Sequence, residues 1–315
     1  MAGLFLKEIM IKRTLYFGSP AYLSLANAQL SIKKADDGDL LPDDLSSIVK
    51  TIPIEDIGVV IIDNKQITVT SMLLSALLAN NVAVVTCDDR SMPVGLLLPL
   101  DSNSVQSERF QDQLEASLPL KKQLWQQTVE GKIKNQAAVL KYVSGEDARN
   151  MLAWAGSIRS GDSENTEARA AAFYWKNIFP DLELFVRDRY GPSPNNLLNY
   201  GYAILRAVIA RSIVGSGLLP TIGIHHHNRY NAYCLADDIM EPYRPFVDKL
   251  VVDIVSENPC PQLTKEIKAK LLSIPVLDVT IDGHRSPLMI AATTTTSSLY
   301  KCFSGVSRRI LYPVL

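Results

Sequence analysis

The sequence predicts an α+β protein in which a small N-terminal β-rich domain, residues 1–100, precedes a larger all-α domain, residues 101–315. Short segments rich in strand-forming residues fill the first hundred positions. The polar stretch 101–107 is typical of a linker, and the apolar residues after it recur three and four positions apart, as they do in helices. A length of 315 residues also favours two domains over one.

The N-terminal strands are expected to be short and to be separated by turn-forming residues. Their expected ranges are 13–17, 21–25, 29–33, 48–53, 58–62, 66–70, 82–86 and 93–98, with one helix at 71–79. Asp37, Gly38 and Asp39 predict a tight turn. Asp63 and Asn64 predict a hairpin between the two strands that flank them.

The second domain is expected to consist of helices punctuated by prolines. Their expected ranges are 110–129, 147–157, 164–178, 197–214, 263–272 and 288–303. The last range contains four successive threonines at 293–296, and threonine is a poor helix former, so its pattern indicates a helix less strongly than the others do.

The composition is that of a folded protein. Apolar residues make up 47% and charged residues 21%, which excludes a disordered chain and a collagen-like repeat. No stretch reaches the roughly 18 apolar residues of a membrane span. The first residues lack a secretory signal pattern, so we expect a cytoplasmic protein with no membrane partner. The four cysteines form no CxxC pair, which excludes a zinc knuckle and indicates reduced thiols.

The charges are unevenly distributed along the chain. The net charge of −1 by itself argues against a nucleic-acid-binding protein. However, residues 35–63 contain eight acidic residues and one basic residue, whereas residues 284–315 contain four basic residues and no acidic one. The asymmetry is compatible with two solvated surfaces of opposite sign or with a functional separation of charge.

Three of the four histidines are consecutive, at His225, His226 and His227, after an apolar stretch interrupted by Pro220 and Gly223. A histidine cluster is typical of metal ligation or proton transfer. The alternative is a polar loop whose imidazole rings are partly solvated.

Two acidic residues follow at a spacing that a helix places on one face, Asp238 and Glu241. Pro242 disfavours helical angles at the residue before it, so the helix must tolerate a kink there. Two carboxylates held close together repel each other unless a cation lies between them, which points to a metal site. Helix capping by Asp237 or Asp238 and an ion pair between Glu241 and Arg244 are the alternatives.

A further candidate lies in the segment 163–175, which begins as a capped helix with Glu164 and Glu167 on its first two turns. The alternative is a surface glutamate that interacts with the helix dipole. Carboxylates together with one imidazole form a donor set that suits Mg²⁺ or Mn²⁺. Such a cation polarises a phosphodiester and positions a hydroxyl nucleophile, so this set is typical of phosphodiester chemistry.

Spaced motifs in order carry a resemblance to a known family over nearly the whole chain. They are the first strand at 11–18, Glu167-Ala-Arg-Ala-Ala, the helix start at 196–202, Gly223-Ile-His-His, and Asp238-Ile-Met-Glu-Pro-Tyr-Arg-Pro. Together they resemble the CRISPR-associated spacer integrase, the large, metal-dependent endonuclease subunit of CRISPR adaptation. The first strand is similar to that of the type II branch, and the first nine residues look like an extension relative to the family.

The resemblance implies that Glu167, His226 and Glu241 are the catalytic residues and the ligands of Mg²⁺ or Mn²⁺, with Asp238 as an auxiliary acid. It implies an N-terminal dimerisation domain and a helical catalytic domain. The implied reaction, part of antiviral defence, is the insertion of short duplex DNA into the repeat array by transesterification.

The implied partners are double-stranded DNA, a second copy of the chain in a homodimer, and a small ferredoxin-like adaptation subunit. Two dimers of this chain are expected for each dimer of that subunit, and the RNA-guided effector nuclease is a further candidate partner. Two other functions stay open on the sequence: a stand-alone metal-dependent nuclease that acts on branched DNA, and a non-catalytic scaffold of the same fold.

Overall fold

Strands dominate the first part of the chain and helices the rest, which confirms the predicted fold class in its main features. The computed structural model describes residues 12–34, 48–182, 185–258 and 261–315. The chain divides into two compact units, Met1–Leu97 and Leu98–Leu315.

The described strands of the first unit form two four-stranded sheets. Their bounds are β1 Arg13–Phe17, β2 Ala21–Ala26, β3 Gln29–Lys34, β4 Ile48–Pro53, β5 Ile57–Ile62, β6 Ile67–Val69, β7 Ala83–Cys87 and β8 Pro93–Leu97. The strand order is β1-β5-β7-β8 in one sheet and β4-β3-β2-β6 in the other. Helix α1, Ser71–Ala79, connects β6 to β7.

The hairpin predicted at Asp63 and Asn64 is wrong. Strand β5 pairs in parallel with β1 and β7, whereas β6 pairs in parallel with β2 in the other sheet. Almost all of β5 is buried, as expected for a central strand with parallel neighbours, which must come from distant segments of the chain. The turn residues therefore predict a change of direction but not the pairing partner. The turn predicted at 37–39 lies outside the described residues.

Apolar side chains from both sheets and from α1 form one core in this unit. Leu23 and Leu30 come from one sheet, Val60 from the other, and Leu73 and Leu77 from α1, and all five are almost fully buried. This shared core explains why the chain alternates between the two sheets.

The second unit contains nine described helices. Their bounds are α2 Gln106–Glu115, α3 Leu118–Ser144, α4 Arg149–Ser157, α5 Thr166–Asn177, α6 Asn195–Gly215, α7 Cys234–Met240, α8 Arg244–Glu257, α9 Lys265–Leu271 and α10 Leu288–Phe303. An antiparallel hairpin, β9 Asp278–Ile281 and β10 His284–Pro287, interrupts them, so the unit is mostly helical rather than all-α. Asp282 and Gly283 both have positive φ at the turn, and Asp-Gly is a strong hairpin signal that the helical interpretation overlooked.

The single helix predicted at 110–129 is in fact two helices. Ser117 has extended backbone angles, and its side chain accepts a hydrogen bond from the amide of Leu120, so it caps the start of α3. Helix α3 then continues to Ser144, well beyond the predicted end. Continuous apolar periodicity across residues 110–129 concealed this cap.

The four threonines of α10 are accommodated by hydrogen bonds. The hydroxyl of Thr295 donates to the carbonyl of Leu311 at 2.6 Å, and that of Thr296 donates to the carbonyl of Ser212 in α6 at 3.1 Å. The predicted bounds of α10, 288–303, are confirmed. Contacts outside the helix thus compensate for poor intrinsic helix propensity.

Among the described residues, helix α6 is the one helix long and apolar enough to cross a membrane by length and composition. However, 78% of its apolar window is buried inside the structure, as in the core helix of a folded unit.

Close packing between α6 and α8 requires a glycine at Gly201. A Cβ atom there would lie 2.5 Å from Cγ1 of Val247 in α8. At Gly131 in α3, by contrast, a Cβ atom would meet Pro242 at an ordinary 3.5 Å.

We therefore expect Gly201→Ala to lower the free energy of unfolding by about 1–3 kcal/mol, because the added methyl forces the two helices apart. Gly131→Ala is the matched control and should cost nothing, because alanine is favoured over glycine inside a helix. Urea unfolding of both variants measures the difference, and equal stabilities would contradict the packing argument.

Candidate metal centre

The loop that carries the three histidines is anchored on both sides. Upstream, the buried side chain of Gln113 donates to the carbonyls of Leu219 and Ile222 and accepts from the amide of Leu219. A Cβ atom at Gly223 would lie 2.4 Å from the carbonyl oxygen of His226 and 2.7 Å from a carboxylate oxygen of Asp238. Only glycine therefore lets the chain turn this tightly before the histidines.

Asp238 holds the histidine loop by accepting four hydrogen bonds. Its Oδ2 accepts from the amides of Ile224 and His225 at 2.7 and 2.9 Å. Its Oδ1 accepts from the amide of His226 at 3.2 Å and contacts Nδ1 of the same histidine at 2.5 Å. Asp238 is fully buried, and both of its carboxylate oxygens contact the loop. This supports an auxiliary role in which Asp238 orients the histidine.

The contact with Asp238 determines how His226 presents its ring. Because Nδ1 faces the carboxylate, Nε2 is the nitrogen left for a ligand. The hydrogen bond to Asp238 raises the pKa of His226, with smaller contributions from the charges of Glu241 and Glu167. The side chain is 46% exposed, so the ring is partly solvated and accessible from outside.

Trp125 of α3 packs against the same loop. Its indole stacks on His225 with ring centroids 4.1 Å apart and packs edge-on against His226 at 5.7 Å. Trp125 is almost fully buried. The histidine loop therefore packs against α3 through these ring contacts.

Glu167 lies in the first turn of α5, but the start of this helix differs from the prediction. The helix begins at Thr166, and the carboxylate of Asp162, rather than Ser163, accepts from the amides of Thr166 and Glu167. Glu164 precedes the helix and pairs with Arg159. Of the two glutamates, only Glu167 is directed toward the other candidate residues.

A lysine that the sequence did not single out joins the two glutamates. Nζ of Lys132 in α3 lies 2.6 Å from Oε1 of Glu167 and 2.6 Å from Oε2 of Glu241. The two carboxylates, from α5 and from the turn after α7, therefore meet at one positive charge. The predicted kink is present, because α7 ends at Met240 and a 3-10 turn, Glu241–Tyr243, precedes α8.

Glu241 is held ionised by its neighbours. Burial by itself raises the pKa of this side chain, but the charges of Arg244 and Lys132 outweigh it and lower the pKa below the ordinary value. The ion pair with Arg244, one of the alternatives from the sequence, is present at 3.0 Å. It coexists with the contact to Lys132 and leaves Oε2 facing the shared position.

Arg244 is itself held by a buried polar cluster. Its guanidinium lies 4.7 Å from the ring centre of Tyr202, whose hydroxyl donates to Asp248. Tyr174 donates to the other oxygen of Asp248 at 2.9 Å. Burial raises the pKa of Asp248 to about 6 despite these hydrogen bonds. The cluster links α5, α6 and α8 behind the glutamates.

The capping alternative for the two aspartates is wrong. Helix α7 begins at Cys234, so Asp237 and Asp238 lie inside it rather than at its start. Asp237 instead pairs with Arg206 and accepts from Asn231. Both aspartates tie the loop to α7.

Within the described residues, no group of three or more His, Cys, Asp and Glu side chains is arranged to hold a metal ion as it stands. The donor set nevertheless fits one. Oε2 of Glu241 is buried and has no aligned hydrogen-bond donor in the described part of the chain, although Nζ of Lys132 is close to it. Two carboxylates that share a cation, with an oriented imidazole in the same electrostatic environment, suit Mg²⁺ or Mn²⁺. The assignment of Glu167, His226 and Glu241 as ligands stays a prediction.

Comparison with known proteins identifies the family. The model of CRISPR-associated protein Cas1 matches residues 15–269. A Neisseria meningitidis serogroup C protein named CRISPR-associated endonuclease Cas1 is 36% identical over 292 residues, which cover 92% of this chain and 91% of the relative. These matches place the chain in the class of CRISPR-associated proteins. Within that class, it belongs to the Cas1 family.

Solved structures share the fold. A casposase bound to its integration product has a TM-score of 0.75 and 20% identity, covering 96% of this chain and 92% of that chain. A Cas6-RT-Cas1–Cas2 complex has a TM-score of 0.71 and 19% identity, covering 94% of this chain and 35% of that chain. The family recognised from the sequence is confirmed, and the Neisseria relative is consistent with the type II-like branch.

Replacing Asp238 by asparagine should lower the pKa of His226, because an amide no longer stabilises the imidazolium as the carboxylate does. The histidine resonances of the protein, followed by NMR across a pH series, measure this change, and His226→Ala assigns the signal. Asp237→Asn is the matched control, because Asp237 contacts Arg206 and Asn231 instead. An equal pKa of His226 in wild type and Asp238→Asn would show that the carboxylate does not control the ring.

Proposed function

We propose that this Cas1-family chain is the metal-dependent DNA endonuclease and integrase of CRISPR adaptation. In this proposal it inserts short duplex DNA into the repeat array by transesterification. One observation supports the proposal most strongly. The carboxylates of Glu167 and Glu241, which come from separate elements, both contact the ammonium group of Lys132. The oriented imidazole of His226 lies in the same charged environment.

The proposed ligands are the carboxylates of Glu167 and Glu241 and Nε2 of His226. A bound Mg²⁺ or Mn²⁺ supplies a Lewis acid that polarises a phosphodiester and stabilises developing negative charge. The remaining chemistry depends on the chain itself. Asp238 fixes the ring of His226 through Nδ1, and Arg244 keeps Glu241 ionised.

The reaction requires the 3′-hydroxyl of one DNA strand to attack a phosphodiester at the boundary of the repeat. The ring of His226 is partly exposed, and this supports a site that a DNA duplex can reach. The casposase with the same fold was solved with its integration product, and this supports the assignment of strand joining to this architecture.

We further propose that the chain works in the cytoplasm as a homodimer that uses its N-terminal domain, residues 1–100, for dimerisation. Residues 101–315 then form the catalytic domain. The Cas6-RT-Cas1–Cas2 complex supports a second CRISPR-associated subunit as the partner. Two dimers of this chain for each dimer of that ferredoxin-like subunit, bound to double-stranded DNA, complete the proposed assembly, and the effector nuclease is a further candidate partner.

Glu167→Gln, His226→Ala and Glu241→Gln should each reduce strand joining by about a hundredfold or more, because each removes a ligand of the ion that stabilises the transition state. The assay follows the joining of a labelled short duplex to a plasmid-borne repeat array, with Mn²⁺ and the small subunit present. Glu167→Gln and His226→Ala should leave the thermal midpoint nearly unchanged.

Two neighbouring residues provide matched controls. Glu164→Gln alters an exposed glutamate that pairs with Arg159, and His227→Ala alters the next histidine along the loop. Both variants should join DNA at the wild-type rate. Full activity of Glu167→Gln or His226→Ala would contradict the catalytic assignment. If the wild-type protein cuts branched DNA but never joins strands, a stand-alone nuclease is favoured. If the wild-type protein neither cuts nor joins DNA but still binds the small subunit, a non-catalytic scaffold is favoured.

A further inference from the structure

The ammonium group of Lys132 occupies the position that the proposed ion needs. It lies 2.6 Å from an oxygen of Glu167 and 2.6 Å from an oxygen of Glu241. The lysine side chain is only 12% exposed, so it is an internal contact between elements rather than a surface ion pair. Both carboxylates contact Nζ directly, at the distance of ion pairs.

Lys132 and Glu241 form an ion pair whose geometry is less well aligned than that of the hydrogen bond from Lys132 to Glu167. Oε2 of Glu241 is buried and lacks an aligned donor among the described residues, even though Nζ is close. Lysine is a compact point charge on a flexible stem, unlike the planar guanidinium of arginine. Another compact cation can therefore replace the lysine ammonium at this oxygen of Glu241.

A lysine ammonium and a divalent ion cannot both fill this place. An ion bound to both carboxylates would lie about 2 Å from each oxygen. Nζ, held between the same two oxygens, would then be in contact with a like charge. Removal of both cations would in turn leave two neighbouring carboxylates, one buried and one partly buried, to repel each other.

We propose that Lys132 and the divalent ion exchange at this single position between Glu167 and Glu241. Lys132 keeps the two carboxylates together and neutralised until the ion arrives, and its displacement lowers the apparent affinity of the site for the ion. The inference rests on the proposed metal site, and it adds to that site a residue that determines how tightly the ion binds.

The direct test is Mn²⁺ binding to the full-length protein, measured from the electron paramagnetic resonance signal of free Mn²⁺. Lys132→Met removes the competing charge and should tighten Mn²⁺ binding by at least about tenfold. Lys134→Met is the matched control, because Lys134 is an exposed residue two positions along the same helix and pairs only with Glu130 among the described residues. Unchanged or weaker binding by Lys132→Met overturns the exchange.

Thermal unfolding provides a second readout that is independent of activity. After EDTA treatment, Lys132→Met should unfold at a lower temperature than wild type, because no cation then lies between its two carboxylates. Mn²⁺ should then raise its midpoint more than it raises that of wild type. If Lys132→Met does not fold, Lys132→Gln keeps a hydrogen-bond donor without the charge and takes its place. Failure of both variants to fold in the presence of Mn²⁺ contradicts the exchange.

Glu167→Gln separates failure of this inference from failure of the proposed function. If Glu167→Gln binds Mn²⁺ as wild type does, the proposed metal site itself is wrong. If Glu167→Gln loses Mn²⁺ binding while Lys132→Met binds as wild type does, the metal site stands and only the exchange is wrong.

Discussion

Two carboxylates held close together repel each other unless a cation lies between them, and the proposed metal site of this protein depends on that constraint. Glu167 and Glu241 come from elements that are far apart in sequence, and the Lys132 ammonium contacts both. Because Arg244 also pairs with Glu241, that carboxylate is charged despite its burial. Such a pair of carboxylates favours a cation between them, and Lys132 supplies a positive charge there within the folded chain.

Helix α3 organises the surroundings of this pocket through one stripe of residues. Trp125, Thr128, Lys132 and Asn135 follow one another at spacings of three and four, so they share a face. Trp125 supports the histidine loop, and Asn135 donates to the carbonyl of Pro242 beside Glu241. Thr128 meets the hydroxyl of Tyr312 at 2.8 Å. A single long helix therefore sets the distance between the loop and the acidic turn.

Local patterns were sufficient to predict most elements but not their partners. The strands of the first unit and α10 were predictable because short β-rich runs and apolar periodicity are local properties. The location of β5 and β6 in different sheets was not predictable, because strand pairing depends on a core that distant segments share. In the same way, capping by Ser117 was concealed by uninterrupted periodicity.

The site shows the same division between local pattern and tertiary contact. Glu167, His226 and Glu241 could be proposed from motif spacing and family resemblance. Lys132 could not, because the predicted helix ended at residue 129, before this lysine, and no local pattern marks a lysine that contacts two glutamates across the fold. The loop-binding role of Asp238 also required coordinates, since its four hydrogen bonds reach across twelve to fourteen positions.

In the proposed site, the carboxylates of Glu167 and Glu241 and the imidazole of His226 bind one ion at the position that the Lys132 ammonium occupies. The most direct measurement is an anomalous difference map from crystals of the protein grown with Mn²⁺. One peak is expected, about 2 Å from carboxylate oxygens of Glu167 and Glu241 and from Nε2 of His226, with Nζ of Lys132 moved away. A peak elsewhere, or Mn²⁺-saturated crystals with Lys132 still between the two glutamates, would contradict it.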